Sequence, residues 1–387
     1  MGAWSAVLSW IRLDHPLKLI GVGGLFLFSE FLSLVAYNIV TASPGVSNPL
    51  FYSAGFVGYA LADNNSFLQV AALGGVWALS ALVIGVNLLV YVFMHQERSA
   101  KYRNIALLGI LLAGIAVTPL ASVRERMDRT PKTPVAVGFM SLGIQARDVS
   151  EKNAEENIAT LVLQTIAQFK TAQVTIALIP EDARVFAPTG KHRVQDLSTN
   201  SVTIVHSGTR GLPNGRATLS GYASTKDGDV WLRNKLALAP QGEYLPSVFN
   251  GLLHLVGAGT AAERFSQTHA LTNGEIGNPA IAGAARGALL FCSELLMPGL
   301  AKTMVETQRA NILLIASSHS LFAGKGALET DILRYARVQT VEAGVPSVSS
   351  VTNGAAYALD RYGRFISRVS AEKNSAAVGI ATVYVSP

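Results

Sequence analysis

Three long apolar runs in the first third of the chain limit what it can fold into more than any other feature. They are "LIGVGGLFLFSEFLSLVAYNIVTA" (19–42), "SFLQVAALGGVWALSALVIGVNLLVYVFM" (66–94) and "IALLGILLAGIAVTPLA" (105–121). Crossing a bilayer takes about 20 apolar residues. In hydrocarbon a segment must satisfy its own backbone groups, so each run is read as a helix. A fourth stretch, "PLFYSAGFVGYALA" (49–62), is short enough to read as interfacial or re-entrant. Residues 3–11, "AWSAVLSWI", read as lying at the interface. Residues 1–122 are therefore assigned as a transmembrane region of about 3–4 spans. No small-residue cleavage site follows a short apolar core, so the first run reads as a retained anchor rather than a signal peptide.

Basic residues in short loops orient such helices. Arg12 and Lys18 precede the first run, 43–65 has no Lys or Arg, and 95–104 carries Arg98, Lys101 and Arg103. Three spans with these loops place everything after about residue 122 outside the cytoplasm. Glu30 falls in the middle of the first run. An ionisable residue at that depth marks either a functional site or a carboxylate packed against a neighbouring helix.

The remainder has a different texture. Residues 123–133, charged and ending in "TPKTP", read as a linker, and 134–387 as one domain. "VAVGFMSLGI" (135–144), "QVTIALIP" (173–180) and "ANILLIASS" (310–318) read as strands. Residues 150–170 read as an amphipathic helix capped by Ser150, and 328–344 as a helix ended by Gly344. "SVSSVTNG", "AAYALDRYGR" and "VGIATVYVSP" are strand-like pieces with glycine-bearing turns. Alternating strands and helices give an α/β class. Only 14% of the residues are charged, the net charge is +6, and no basic stripe is interleaved with aromatics. Nucleic-acid binding therefore has no support, and anionic lipid headgroups suit the basic residues flanking the apolar runs better.

Three polar positions follow or open apolar strand-like runs: Glu181 in "ALIPEDA", Lys235 and Glu243 in "RNKLALAPQGEYLP", and Cys292 with Glu294 in "LLFCSELLMP". Catalytic groups of open α/β sheets gather at strand ends. Cys292 is the only cysteine. As a nucleophile it needs a base, which a buried Glu supplies, and a cation to stabilise the thiolate and a developing oxyanion. Taken singly, each residue has a plainer reading: a buried small hydrophobe for the thiol, solvated surface groups for the others. "GAGTAA" (257–262) lacks the acidic partner of a dinucleotide fingerprint. His206, His254, His269 and His319 lack metal-ligand spacing, and Ser317, Ser318 and His319 have no "GxSxG" elbow. No cofactor or metal site is expected.

Together the three boxes "PED", "K…L.P.GEYLP" and "C.E...P" resemble the signatures of the nitrilase, or carbon–nitrogen hydrolase, superfamily, over about 134–387. The resemblance implies an α-β-β-α sandwich with a Glu-Lys-Cys triad at one end. A fused multispan half is similar, within that superfamily, to the apolipoprotein N-acyltransferases. Their likeness implies a phospholipid acyl donor, a Cys thioester and an amine-bearing acceptor such as a lipoprotein. It also implies Glu181 as general base, Lys235 and the Ser293 N–H at the oxyanion, Glu243 positioning Lys235, Cys292 as nucleophile and Glu294 as support. Ser293 and Gln241 stand where those enzymes carry aromatics, "SHSLF" (318–322) replaces an "NDAWF"-like box, and their final span has no counterpart before Pro387. The short membrane half also resembles shortened relatives that accompany conjugal-transfer genes on plasmids of rhizobia and agrobacteria. Two other functions compete: a tethered amidase or nitrilase on a small carbon–nitrogen substrate, and a non-catalytic membrane assembly factor.

Overall fold

The computed structural model describes residues 16–46, 48, 52–95, 100–144, 154–181, 183, 202–212, 216–268, 271–320 and 326–387. Residues 3–11, Arg12, Arg98, Ser150, Asp182 of the "PED" box, His269 and residues 321–322 lie outside them. Among the described residues, three helices are long and apolar enough to cross a membrane, over Ile20–Val40, Ala71–Met94 and Asn104–Met127. They belong to α1 (Pro16–Val40), α2 (Ala71–His95), and the successive α3 (Ala100–Val117) and α4 (Leu120–Met127). The described part of 49–62 is not a spanning helix. It holds a 3-10 helix, Val57–Leu61, folded against α2.

One glycine permits that packing, and a second shapes α2 itself. A Cβ on Gly58 would stand 2.6 Å from both Ser80 N and Val76 O, so only glycine lets the 3-10 helix touch the backbone of α2. Gly75 adopts φ +59, a left-handed conformation that interrupts α2 one turn from its start. A side chain there would run into the Glu342 carboxylate.

The polar domain begins at β1 (Thr133–Leu142) and continues through α5 (Ala154–Thr171), β2 (Ile176–Leu178), β3 (Thr203–Gly211), β4 (Ala217–Thr225), β5 (Gly228–Asn234), α6 (Ser247–Leu255) and α7 (Gly259–Thr268). β6 (Ala280–Ala282), β7 (Ala285–Phe291), α8 (Leu300–Gln308), β8 (Ile312–Ser318), α9 (Gly326–Ala343), β9 (Ser347–Thr352), β10 (Ala355–Leu359), β11 (Phe365–Ser370) and β12 (Ala376–Val385) follow. The strand order is β5-β4-β3-β2-β1-β9-β8-β7-β6, with β12 antiparallel on β1, β10 on β9 and β11 on β10. The segment read as a linker carries the end of α4 and then an extended stretch into β1.

Side-chain alternation along the strands fixes the layers. Val135, Val137 and Phe139 of β1, Ile176 and Leu178 of β2, Leu289 and Phe291 of β7, and Ile312 and Leu314 of β8 meet in one buried cluster between two facing parts of the sheet. The intervening residues point outward. Met140, Leu142, Ala177 and Ile179 meet Ile158, Val162, Ile166 and Phe169 of α5, which recur every three or four residues on one helix face. Leu290, Leu313 and Ile315 meet α8 and α9 on the opposite side. The architecture is the α-β-β-α sandwich expected from the sequence.

The apolar helices pack on the α8/α9 layer. Phe56, Tyr59, Leu68, Val76 and Leu79 share a single buried cluster with Leu300, Met304, Tyr335, Val338 and Val341. Polar ties line the seam: Arg334 with Asp63 (2.5 Å), Arg337 with Asn65, Gln69 Nε2 to Tyr362 O (2.9 Å), and Arg364 with Glu125 (3.0 Å).

Gly58→Val is expected to destabilise the protein by about 2 kcal/mol, because the added methyls overpack a backbone contact rather than a flexible side chain. Thermal unfolding of the detergent-solubilised protein measures it. An unchanged midpoint would mean that the 3-10 helix is not held against α2.

Candidate active site

Glu181, Lys235 and Cys292 each lie just beyond the C-terminal end of a strand. Glu181 follows β2, Lys235 follows β5, and Cys292 follows β7 and opens a 3-10 turn, Cys292–Leu296. Glu243 lies on the loop after Lys235. Fifty-four residues separate Glu181 from Lys235, yet Lys235 Nζ donates to Glu181 Oε1 at 2.9 Å and to Glu243 Oε1 at 2.7 Å. Glu243 is held in turn by the Ala239 N–H at 2.6 Å. Glu181 is fixed at its backbone, where its carbonyl accepts from Thr352 Oγ1 at 2.8 Å. Lys235 and Glu181 are buried; Cys292 is partly exposed.

Burial pulls Lys235 down, but Glu181, Glu243 and Cys292 overcome it and hold the ammonium well above the usual lysine range. The thiol moves the other way from a typical activated cysteine. Burial and the neighbouring Glu181 push it up to about 12, against the opposing pull of Lys235. The thiol points to the Ser318 carbonyl at 3.6 Å. Free of substrate, Cys292 is therefore a protonated thiol beside a carboxylate, and its proton must leave as it attacks.

Glu294 sits behind the cysteine and is completely buried. Its Oε1 accepts from Arg233 Nη2 and from Leu236 N, each at 2.6 Å. Its Oε2 accepts from Arg233 Nη1 at 3.0 Å and Phe291 N at 2.9 Å. This bidentate pair ties the end of β5 to the end of β7, the two strands that present Lys235 and Cys292. The Phe291 ring lies between the cations, 5.8 Å from both Arg233 Cζ and Lys235 Nζ. Ser293 adds a further tie, its hydroxyl donating to Ala237 O at 2.5 Å.

Sequence reading missed Arg233, Asn48, Asn273 and Thr352. Arg233 had a signal: it lies two residues before Lys235, and a period of two puts both on one side of the strand. Asn48 had none. It belongs to the segment after α1, yet its Nδ2 donates to Leu238 O at 3.1 Å and its Oδ1 accepts from Leu238 N at 3.0 Å. It thus pairs with the lysine loop as a neighbouring strand would. Tyr244 OH and Asn273 hold the same side chain, and Tyr244 OH itself donates to Thr41 O at 2.9 Å. The first apolar helix and its exit loop therefore clasp the loop that carries Lys235 and Glu243.

Of the histidines, His206 is buried and pairs with Ser224 at 3.0 Å, and His319 is buried beside Ser318. Burial pushes both down to about 4, so they are neutral at ordinary pH.

No family model matches the chain. The chain is similar to an apolipoprotein N-acyltransferase of Bradyrhizobium diazoefficiens, 25% identical over 339 residues, which cover 80% of this chain and 60% of that protein. The chain thus spans 60% of the length of the curated relative it matches. Among solved structures, a carbon–nitrogen hydrolase from Helicobacter pylori G27 aligns with TM-score 0.47 and 14% identity, covering 65% of this chain and 89% of that one. Nit3 of Saccharomyces cerevisiae, a nitrilase-superfamily protein, aligns with TM-score 0.46 and 12% identity, covering 67% and 92%.

Arg233→Met should cost about 3–5 kcal/mol, because it leaves the Glu294 carboxylate buried without its counter-charge. Replacing both residues, Arg233→Met with Glu294→Leu, should not restore stability, since Leu236 N–H and Phe291 N–H then lose their acceptor. Denaturant titration of the single and double variants checks this. Full recovery in the double variant would reduce Glu294 to an ordinary ion-pair partner.

Proposed function

We propose that the protein is a membrane-bound acyltransferase that carries its acyl group as a thioester on Cys292 and passes it to an amine. The observation that carries this reading is the Lys235 ammonium, buried and donating to both Glu181 and Glu243, on a strand end that Glu294 ties to the strand end bearing Cys292. It gathers an acid–base group, a fixed positive charge and a nucleophile at one end of the sandwich. The apolar helices packed on that domain favour an ester in a phospholipid over a small soluble amide.

In the proposed reaction Glu181 takes the thiol proton as Sγ attacks the ester carbonyl, so the rise in thiol basicity is spent at the moment of bond formation. The tetrahedral oxyanion meets Lys235 and the Ser293 N–H. Collapse breaks the C–O bond, and Glu181 returns its proton to the leaving alcohol. The amine then attacks the thioester, Glu181 removes its proton, and the C–S bond breaks to return that proton to the thiol. Glu243 keeps Lys235 aimed, through the tie of its other oxygen to the Ala239 N–H.

The proposed topology places 134–387 on the periplasmic side. What supports it is the contrast between the Lys/Arg-free 43–65 segment and the basic 95–104 loop. A reporter fused after Pro387 should be active only when exported; cytoplasmic activity overturns the orientation.

Cys292→Ser should form no hydroxylamine-sensitive adduct with labelled phospholipid, whereas Lys235→Ala should acylate more slowly by about 10²–10³. No adduct on the unaltered protein would leave the amidase reading, and equal label on Cys292→Ser would remove the cysteine from the reaction. The pH behaviour of the thiol gives a separate check. Glu181 raises the thiol and Lys235 lowers it, so Glu181→Gln should shift the thiol down and speed its alkylation by iodoacetamide near pH 8 while abolishing transfer. Slower alkylation in that variant would contradict the role of Glu181.

A further inference from the structure

The turn that bears Cys292 is held at both ends. Its start is tied to the sandwich, where Glu294 Oε2 accepts from Phe291 N at 2.9 Å. Its end is tied to the stretch between α1 and the 3-10 helix Val57–Leu61. Leu296 O accepts from Tyr52 N and Ser53 N, each at 3.0 Å, and from Ser53 Oγ at 2.9 Å. Ser53 is completely buried, and its Oγ also lies 2.7 Å from Tyr59 OH. Since the serine hydrogen goes to Leu296 O, the tyrosine donates to the serine. On the other flank of the turn, Gln339 Nε2 of α9 donates to Leu295 O at 3.2 Å and to Met297 O at 2.8 Å.

Tyr52 takes an unusual backbone conformation to make this grip. Its φ is +82, in the left-handed region that bulky residues rarely enter. Successive N–H groups turned to one side form a concave nest of the kind that binds anions; here the nest holds a carbonyl oxygen. Glycine would take that φ without strain. The tyrosine instead supplies a ring, which stacks on Tyr37 of α1 with centroids 3.9 Å apart and planes 5° from parallel. Strained residues persist where their surroundings over-determine them, and they cluster at functional sites. Here the surroundings are α1 on one side and the cysteine turn on the other. Asn48, earlier in the same stretch, holds Leu238 on the lysine loop. The chain leaving α1 thus touches the loops of both Lys235 and Cys292.

We propose that Tyr52 and Ser53 are positioning residues for Cys292, and that the Tyr37–Tyr52 stack makes the aim of the nucleophile depend on where α1 sits. The proposal rests on the reading of Cys292 as the nucleophile. A carbonyl gripped by Tyr52 N, Ser53 N and Ser53 Oγ loses these donors together when the stretch moves. Parting the two rings therefore frees the Leu296 end of the turn. The Ser293 N–H, assigned above to the oxyanion, lies between that end and Cys292. A freed turn carries the thiol out of its buried place beside Glu181 and hydrates it.

The test reads the thiol rather than turnover. The full-length protein in detergent is alkylated with iodoacetamide across a pH series, its single cysteine being the only thiol. Burial pushes that thiol up to about 12, so a loosened turn, which hydrates it, should bring it down. Ser53→Ala removes one donor from Leu296 O. Tyr52→Gly permits the same φ but removes the ring. Each should speed alkylation near pH 8 about ten-fold, the gain in thiolate that a fall of one pKa unit gives. Tyr37→Ala should do the same from α1. Tyr52→Phe keeps a stacked ring and should restore the profile of the unaltered protein. Val162→Ala, a truncation in the core beneath α5, should lower the thermal midpoint and leave the profile in place. An unchanged profile in Ser53→Ala and Tyr52→Gly, no shift in Tyr37→Ala, or an equal shift in Val162→Ala overturns the proposal. Labelled phospholipid separates it from the acyl-transfer reading: shifted profiles in the variants with no adduct on the unaltered protein sink that reading and leave the positioning role standing.

Discussion

The carboxylate of Glu294 is the point on which the end of the sandwich that holds Lys235 and Cys292 depends. It is wholly buried, and both oxygens are shared between a guanidinium and a backbone amide. Desolvating such a charge is expensive, and only this complete set of partners offsets it. Because the partners come from β5, the start of the lysine loop and the end of β7, any slip between the two faces of the sandwich would break at least one of them. The pair therefore sets the relative height of Lys235 and Cys292 to within a hydrogen-bond length.

Charge balance around the thiol follows from that frame. Arg233 and Glu294 neutralise each other, leaving one ammonium against two carboxylates in front of them. A cysteine that faced a net positive charge would stand as a thiolate and react with any electrophile that reached it. Here the surplus is negative and the thiol stays protonated. In the proposed reaction, reactivity then requires an electrophile close enough for a carbonyl oxygen to share Lys235, which would couple activation of the thiol to the presence of a bound acyl group.

Much of this was legible in the sequence, because the informative residues obey local rules. The apolar runs reported the long helices, and alternating texture reported β1, β2 and β8. The three boxes reported Glu181, Lys235, Glu243, Cys292 and Glu294. Helix starts were less accurate: the second run reads from residue 66, but Asn64 caps a separate turn at Asn65–Leu68 before α2 begins. What stayed hidden depends on non-local contact. Nothing near Asn48 announces that its amide will pair with Leu238, and nothing near Arg233 states that its counter-charge lies 61 residues away. Glu30 was conspicuous by charge alone; its hold on Val57 N came from the 3-10 helix that meets it.

The clasp of Asn48 on Leu238 has a consequence for the order of assembly. The two residues are 190 apart, so the first is made and leaves the ribosome long before the second exists. Contacts of such separation form late, because closing the intervening chain costs entropy that only an already folded domain returns. The lysine loop thus receives its last support only when the apolar helices and the sandwich are both in place. A nascent or misinserted chain would hold the residues of the site without the clasp that orders them, so biosynthesis itself delays a fully ordered site until the two halves have met.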